Sequence, residues 1–186
     1  MLKINYIKQT VTLYAVFFAL GCSKDSEPKQ IHEEEVITRV TLSVKKEGSS
    51  TPVLYHSNDH HEDAQDEPRI ALDSHSTYEV EVSFYNTSNP SDIKNITEEV
   101  QEEADEHQVF YEIIRLSGIA ITASADDIKD SSGKPVFLKT VWKTSAPTMG
   151  EIKVYLIHEP TSKTGSTPVE IGGETDVEVD FYVEVE

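Results

Sequence analysis

The chain holds one cysteine and one tryptophan in 186 residues, sets 16 basic side chains against 34 acidic ones, and contains no apolar stretch approaching the length of a membrane span. Each shortage excludes something. A lone thiol cannot close an intrachain disulfide or assemble a cysteine-based zinc site. A formal charge of −18 repels phosphate backbones, which excludes nucleic acid as a partner. A spanning helix needs about 20 apolar residues, and the longest apolar run, 11–20, covers half of that and is broken by Thr12. Catalytic signatures are missing as well: there is no Gly-x-Ser-x-Gly, no phosphate-binding glycine loop and no dinucleotide fingerprint. The expectation is therefore a protein that is not an enzyme.

What is present begins at the N-terminus. Lys3 and Lys8 precede the apolar run and no acid occurs before Cys22, the pattern of a secretory signal. Gly21-Cys22 at the end of the run resembles the lipobox of bacterial lipoproteins, with Ala19 where leucine is usual and Leu20 beside it. The resemblance implies a signal peptide over 1–21 and an acylated Cys22 as the mature N-terminus. Stable anchoring takes more than one acyl chain, and a lipoprotein carries several. The alternative is an ordinary signal peptide followed by an incidental cysteine. Ser23-Lys24-Asp25-Ser26-Glu27-Pro28-Lys29-Gln30 is polar and aperiodic, so 22–34 reads as a flexible tether. Its Lys-Asp with nearby acids also resembles the short export signal of surface lipoproteins of the Bacteroidota. The 165 residues left after cleavage carry a charge of −20 and suffice for one domain, placed at 35–186.

Within that domain the dominant period is two. Val36, Thr38, Val40, Leu42 and Val44 share one parity; Tyr78, Val80, Val82 and Phe84 alternate with Glu79, Glu81 and Ser83; Val177, Val179, Phe181, Val183 and Val185 alternate with acids and Tyr182. Such alternation predicts half-buried strands. Further strands are expected at Gln108–Leu116 (apolar on both parities, hence covered on both faces), Ile119–Ala123, Phe137–Thr144 and Ile152–Leu156, with Pro52–Tyr55 and Arg69–Leu72 as candidate short extended segments. One segment changes period: Ile96, Val100, Ala104 and His107 form a narrow helical stripe, with Asn95 and Glu98 spaced as a capping box. Seven or eight strands with one short helix predict an all-β fold, an antiparallel β-sandwich of Ig-like or similar kind. A small β-barrel is the alternative.

Three stretches carry a family resemblance: Glu102-Glu103-Ala104-Asp105-Glu106-His107-Gln108-Val109-Phe110-Tyr111, Leu156-Ile157-His158-Glu159-Pro160, and Gly172-Gly173-Glu174-Thr175-Asp176-Val177-Glu178-Val179-Asp180-Phe181. They resemble a family of Bacteroidota lipoproteins of unknown function, often labelled as having a type 1 periplasmic binding fold and linked with TonB-dependent outer-membrane receptors. The resemblance spans about Glu35 to the end and transfers no catalytic residue. The label implies two α/β lobes, which need crossover helices and a longer chain; the alternation argues for the all-β reading instead.

Two constellations bear donor atoms. His56, Asp59, His60, His61, Glu62, Asp63 and Asp66 fall in one polar loop, followed by His75, and imidazole with carboxylate suits zinc, copper or nickel. His107 and His158-Glu159 stand at element ends. If those ends meet near Glu174 and Asp176 after Gly172-Gly173, a His/carboxylate site results. Water-exposed loop histidines and hydrogen-bonded turn caps are the alternatives. The metal-ligand candidates are thus His56, His60, His61, Glu62, Asp63, His107, His158 and Glu159, with Zn or Cu as the cofactor. Asp126, Asp127 and Asp130 before Gly133 lack calcium-loop spacing and predict a hairpin turn. The expected function is a lipid-anchored binding or accessory protein of the outer membrane, periplasmic or surface-exposed, serving a TonB-dependent receptor; the alternative is an adhesion-type module that binds protein or glycan.

Overall fold

Alternating side chains build a sheet with one apolar face, and two such faces must cover each other. In the computed structural model, which describes residues 36–58 and 69–186, the strands are β1 (Arg39–Lys46), β2 (Val53–Asn58), β3 (Arg69–Leu72), β4 (Thr77–Asn86), β5 (Lys94–Asn95), β6 (His107–Ile114), β7 (Ile119–Ala123), β8 (Lys139–Thr144), β9 (Thr148–His158) and β10 (Glu174–Val185). The short helices are α1 (Thr97–Glu102) and α2 (Pro168–Ile171). One sheet runs β2-β1-β4-β8-β7, with β5 added to the edge of β4; the other runs β3-β10-β9-β6. The fold is an all-β sandwich rather than a barrel, for the strands divide between two sheets. It is antiparallel except that β3 joins β10 in parallel, Ile70 opposite Val183.

The inner faces carry the predicted parities: Val40, Leu42, Val44, Val80, Val82 and Phe84 from the first sheet meet Ile152, Val154, Leu156, Val179, Phe181 and Val183 from the second. Trp142 of β8 is completely buried among them. Its indole N–H donates to Thr140 Oγ1 at 2.9 Å, and Tyr111 stands edge-on to it with ring centroids 6.1 Å apart.

Several expectations need correction. β1 starts at Arg39, and Ile37 rather than Val36 enters the core, because the alternation begins only where pairing with β4 does. The predicted helical stripe ends early: α1 stops at Glu102, and His107 opens β6 instead of closing a helix. Asn95 accepts the Thr97 N–H and bonds Glu98, but it precedes the capping position, held by Ile96. Strand β6 is an edge strand covered on both faces only near its start, where Val109 joins the main core and Phe110 a second cluster with Tyr155, Ile157 and Ile171. Phe137 lies before β8 with φ of 68°, its N–H taken by Asp127 Oδ2. The loop after β9 hides α2, capped by Thr167, whose hydroxyl oxygen accepts the Glu170 N–H. Among the described residues no helix is long and apolar enough to cross a membrane.

The loop holding α2 covers the second cluster and is clasped by Lys163, whose ammonium donates to the Ala104 carbonyl and lies 3.5 Å from Asp130 Oδ2. Asp130 organises the hairpin predicted there: its Oδ1 accepts from Ser132 N–H, Ser132 Oγ and Lys134 N–H. Desolvation pushes this carboxyl up, but the Lys134 N–H, the Ser132 hydroxyl and the Lys163 ammonium outweigh it and hold its pKa at about 2. A depressed carboxyl stabilises the fold fully above its unfolded pKa, near 4, and loses that contribution as pH falls through the folded value of about 2. Asp130→Asn is therefore expected to cost about 1 kcal/mol at neutral pH, discounted for screening at the loop rim. Urea melts should show the gap to the wild type closing toward pH 2.

Candidate functional site

Strands β6 and β9 are antiparallel neighbours, and their register sets His107 opposite His158. Both residues share the parity of Val109 and Leu156, so both imidazoles stand on the inner side of the sheet, at its end. The rings stack with centroids 4.9 Å apart and planes 9° apart.

Strand β10 supplies the third group through an irregularity. Its pairing with β9 shifts register between Thr175 and Val177, leaving Asp176 as the extra residue of a bulge. A bulge re-aims one side chain without ending the strand. Ligand-capable atoms of His107, His158 and Asp176 consequently lie within 4.8 Å of one another. A second trio, Glu106, His158 and Glu159, meets the same criterion.

The backbone here is shaped for close approach. Glu159 adopts φ of 45°, and its N–H donates to the Glu106 carbonyl at 2.7 Å, joining the turns that flank both histidines. Gly173, at φ of 87°, leaves no room for a side chain, since a Cβ would collide with the carbonyl oxygens of His158 and Glu159. Only glycine satisfies both demands without strain.

The electrostatics favour neutral nitrogen. Burial pushes the His107 pKa down, the Glu103 carbonyl opposes this and the neighbouring His158 adds to it. The His107 Nδ1–H donates to that carbonyl at 3.2 Å, which fixes the tautomer and directs the Nε2 lone pair elsewhere. A backbone acceptor behind the ring is the usual support of a metal-ligating histidine. Two imidazoles and a carboxylate match the donor set of zinc and other late first-row ions and suit calcium or magnesium poorly, since those take oxygen ligands.

The structure thus brings together His107, His158 and Asp176, with Glu159 and Glu106 at the rim. Glu174 begins β10 but belongs to neither trio. His56 is not a loop residue: it lies in β2, exposed, sharing a hydrogen bond of 2.8 Å between its Nδ1 and Thr41 Oγ1. His75 occupies the turn between β3 and β4 with φ of 51°. Cys22, the tether, and His60, His61, Glu62 and Asp63 of the proposed loop cluster lie outside the described residues. Glu106 was not singled out by sequence reasoning, although its place directly before His107 was a usable signal.

The molecule is therefore defined, as a class, by a two-sheet all-β fold with a histidine/carboxylate cluster at one end of its inner face. No family model, no curated protein and no solved structure matches the chain.

Proposed function

We propose that this is a lipid-anchored extracytoplasmic binding or accessory protein of the outer membrane that handles a divalent metal, Zn²⁺ or Cu²⁺, for a TonB-dependent receptor. The observation that carries the metal reading is the convergence of His107, His158 and Asp176 from three adjacent strands. The anchor rests on the lipobox-like Gly21-Cys22, and the receptor on the family resemblance. An acidic surface suits this role, because negative potential raises the local concentration of cations.

Calorimetry of the untagged full chain with zinc sulfate, and separately with copper sulfate, tests the metal reading. The expected result is one site with Kd in the micromolar range or tighter, retained when His60 and His61 are both changed to alanine. Absence of binding below about millimolar, a free energy of roughly −4 kcal/mol, overturns it. Mass spectrometry of membrane-extracted protein tests the anchor through an acyl adduct on Cys22. Recovery of a receptor with the lipidated chain distinguishes the accessory role from adhesion.

A further inference from the structure

We infer that the site loads through two positions sharing His158: an outer one made with Glu106 and Glu159, where a divalent cation is captured, and an inner one made with His107 and Asp176, where it is held. The inference rests on the metal reading above and deepens it.

His158 belongs to both trios. A neutral imidazole offers a single lone pair, so His158 serves the two positions in turn rather than together. Burial orders them. Glu159 is exposed, Glu106 and His158 are half-buried, and His107 is 1% exposed. Donor chemistry follows the same gradient, with two carboxylates and one nitrogen outside against two nitrogens and one carboxylate inside. Oxygen donors exchange readily with water, whereas nitrogen donors grip late first-row ions, so the inward direction is downhill.

The surroundings suit capture. Glu106 also lines a recess of about 390 Å³ together with Glu102, Glu103 and Asp105, whose four carboxylates outnumber the one ammonium in its lining, that of Lys129. A concave acidic wall focuses potential and speeds cation arrival. The Glu159 N–H bond to the Glu106 carbonyl holds the two outer residues together whether or not an ion is bound.

The test is stopped-flow transfer of Zn²⁺ from a chromophoric chelator to the untagged full chain. For the double variant Glu106→Gln/Glu159→Gln, association is expected to slow about tenfold and dissociation to slow with it, leaving Kd within about threefold of the wild type. Glu79→Gln/Glu81→Gln removes the same charge from the other sheet and should change association less than about twofold. Three results overturn the relay: wild-type rates in the double variant, a Kd that weakens in step with slowed association, or equal slowing in the charge control. Failure of the wild type to take zinc at all is a separate outcome, which overturns the metal reading and the relay with it.

Discussion

Replacing Trp142 with alanine is expected to lower the unfolding free energy by about 3–5 kcal/mol. The indole is wholly buried and meets both inner faces. Truncation would forfeit its transfer free energy, leave a cavity that two rigid sheets cannot collapse into, and remove the edge-on contact with Tyr111. The Thr140 hydroxyl would lose its indole donor while keeping the Val80 carbonyl as its own acceptor. Domains of this size are stable by only about 5–15 kcal/mol, so the variant should be partly unfolded at 37 °C. Urea melts followed by circular dichroism measure the loss, since the substitution deletes the only tryptophan fluorophore. Trp142→Phe, which keeps an aromatic ring, should lose less than half as much. A loss below about 1 kcal/mol for alanine would mean that the inner faces are not packed as described.

That core was largely legible because strands with one wet face write their burial directly into the sequence. β4 alternates from Tyr78 to Phe84 and β10 from Val177 to Val185, and the structure buries the expected parity of each. Legibility failed where two periods coincide. Ile96, Val100, Ala104 and His107 fit a helical stripe, while His107, Val109 and Tyr111 equally fit a strand; the chain uses the first reading to Glu102 and the second from His107. It failed again where tertiary cover overrides composition. Pro160–Pro168, with its Thr, Ser, Gly and Pro, reads as a loop, yet the chain turns helical at its end and folds Ile171 over Phe110, Tyr155 and Ile157, because an apolar outer patch of the sheet would otherwise face water. Pairing partners, including the parallel β3–β10 ladder, are long-range facts that alternation cannot encode.

The candidate site shows the same division. His107 and His158 were recognisable as element ends, and their register as cross-strand partners followed only from the sheet. Asp176 is the sharper case. In strict alternation it belongs with Glu178 and Asp180 on the outward parity, and only the bulge between Thr175 and Val177 brings it to the imidazoles. Such bulges leave no periodic signature, so Asp176 is a candidate in the sequence only through its place after Gly172-Gly173, and its parity gives no sign that it reaches the imidazoles.

Removing the His107 imidazole is expected to weaken zinc binding by about 100-fold or more, because even the hydrogen-bonded supports behind a metal ligand typically contribute 10–100-fold. That loss corresponds to roughly 2.7 kcal/mol. If the cluster only caps turns, His107→Ala should instead lower the stability of the apoprotein by about 1–3 kcal/mol, through lost burial and the lost bond to the Glu103 carbonyl, and leave any response to zinc untouched. Thermal melts with and without zinc separate the two. At free zinc near 100 times Kd, the wild type should gain about 2.7 kcal/mol, which is roughly 5–11 °C in Tm for a domain of this size. His107→Ala, with Kd raised about 100-fold or more, should gain no more than about 0.4 kcal/mol at the same concentration, whatever its starting Tm. Asp176→Asn keeps the side-chain shape but surrenders the charge, so it should fall between them. Equal zinc shifts in the wild type and in His107→Ala would put the ion elsewhere and reduce the stacked histidines to a structural pair that closes one end of the sandwich.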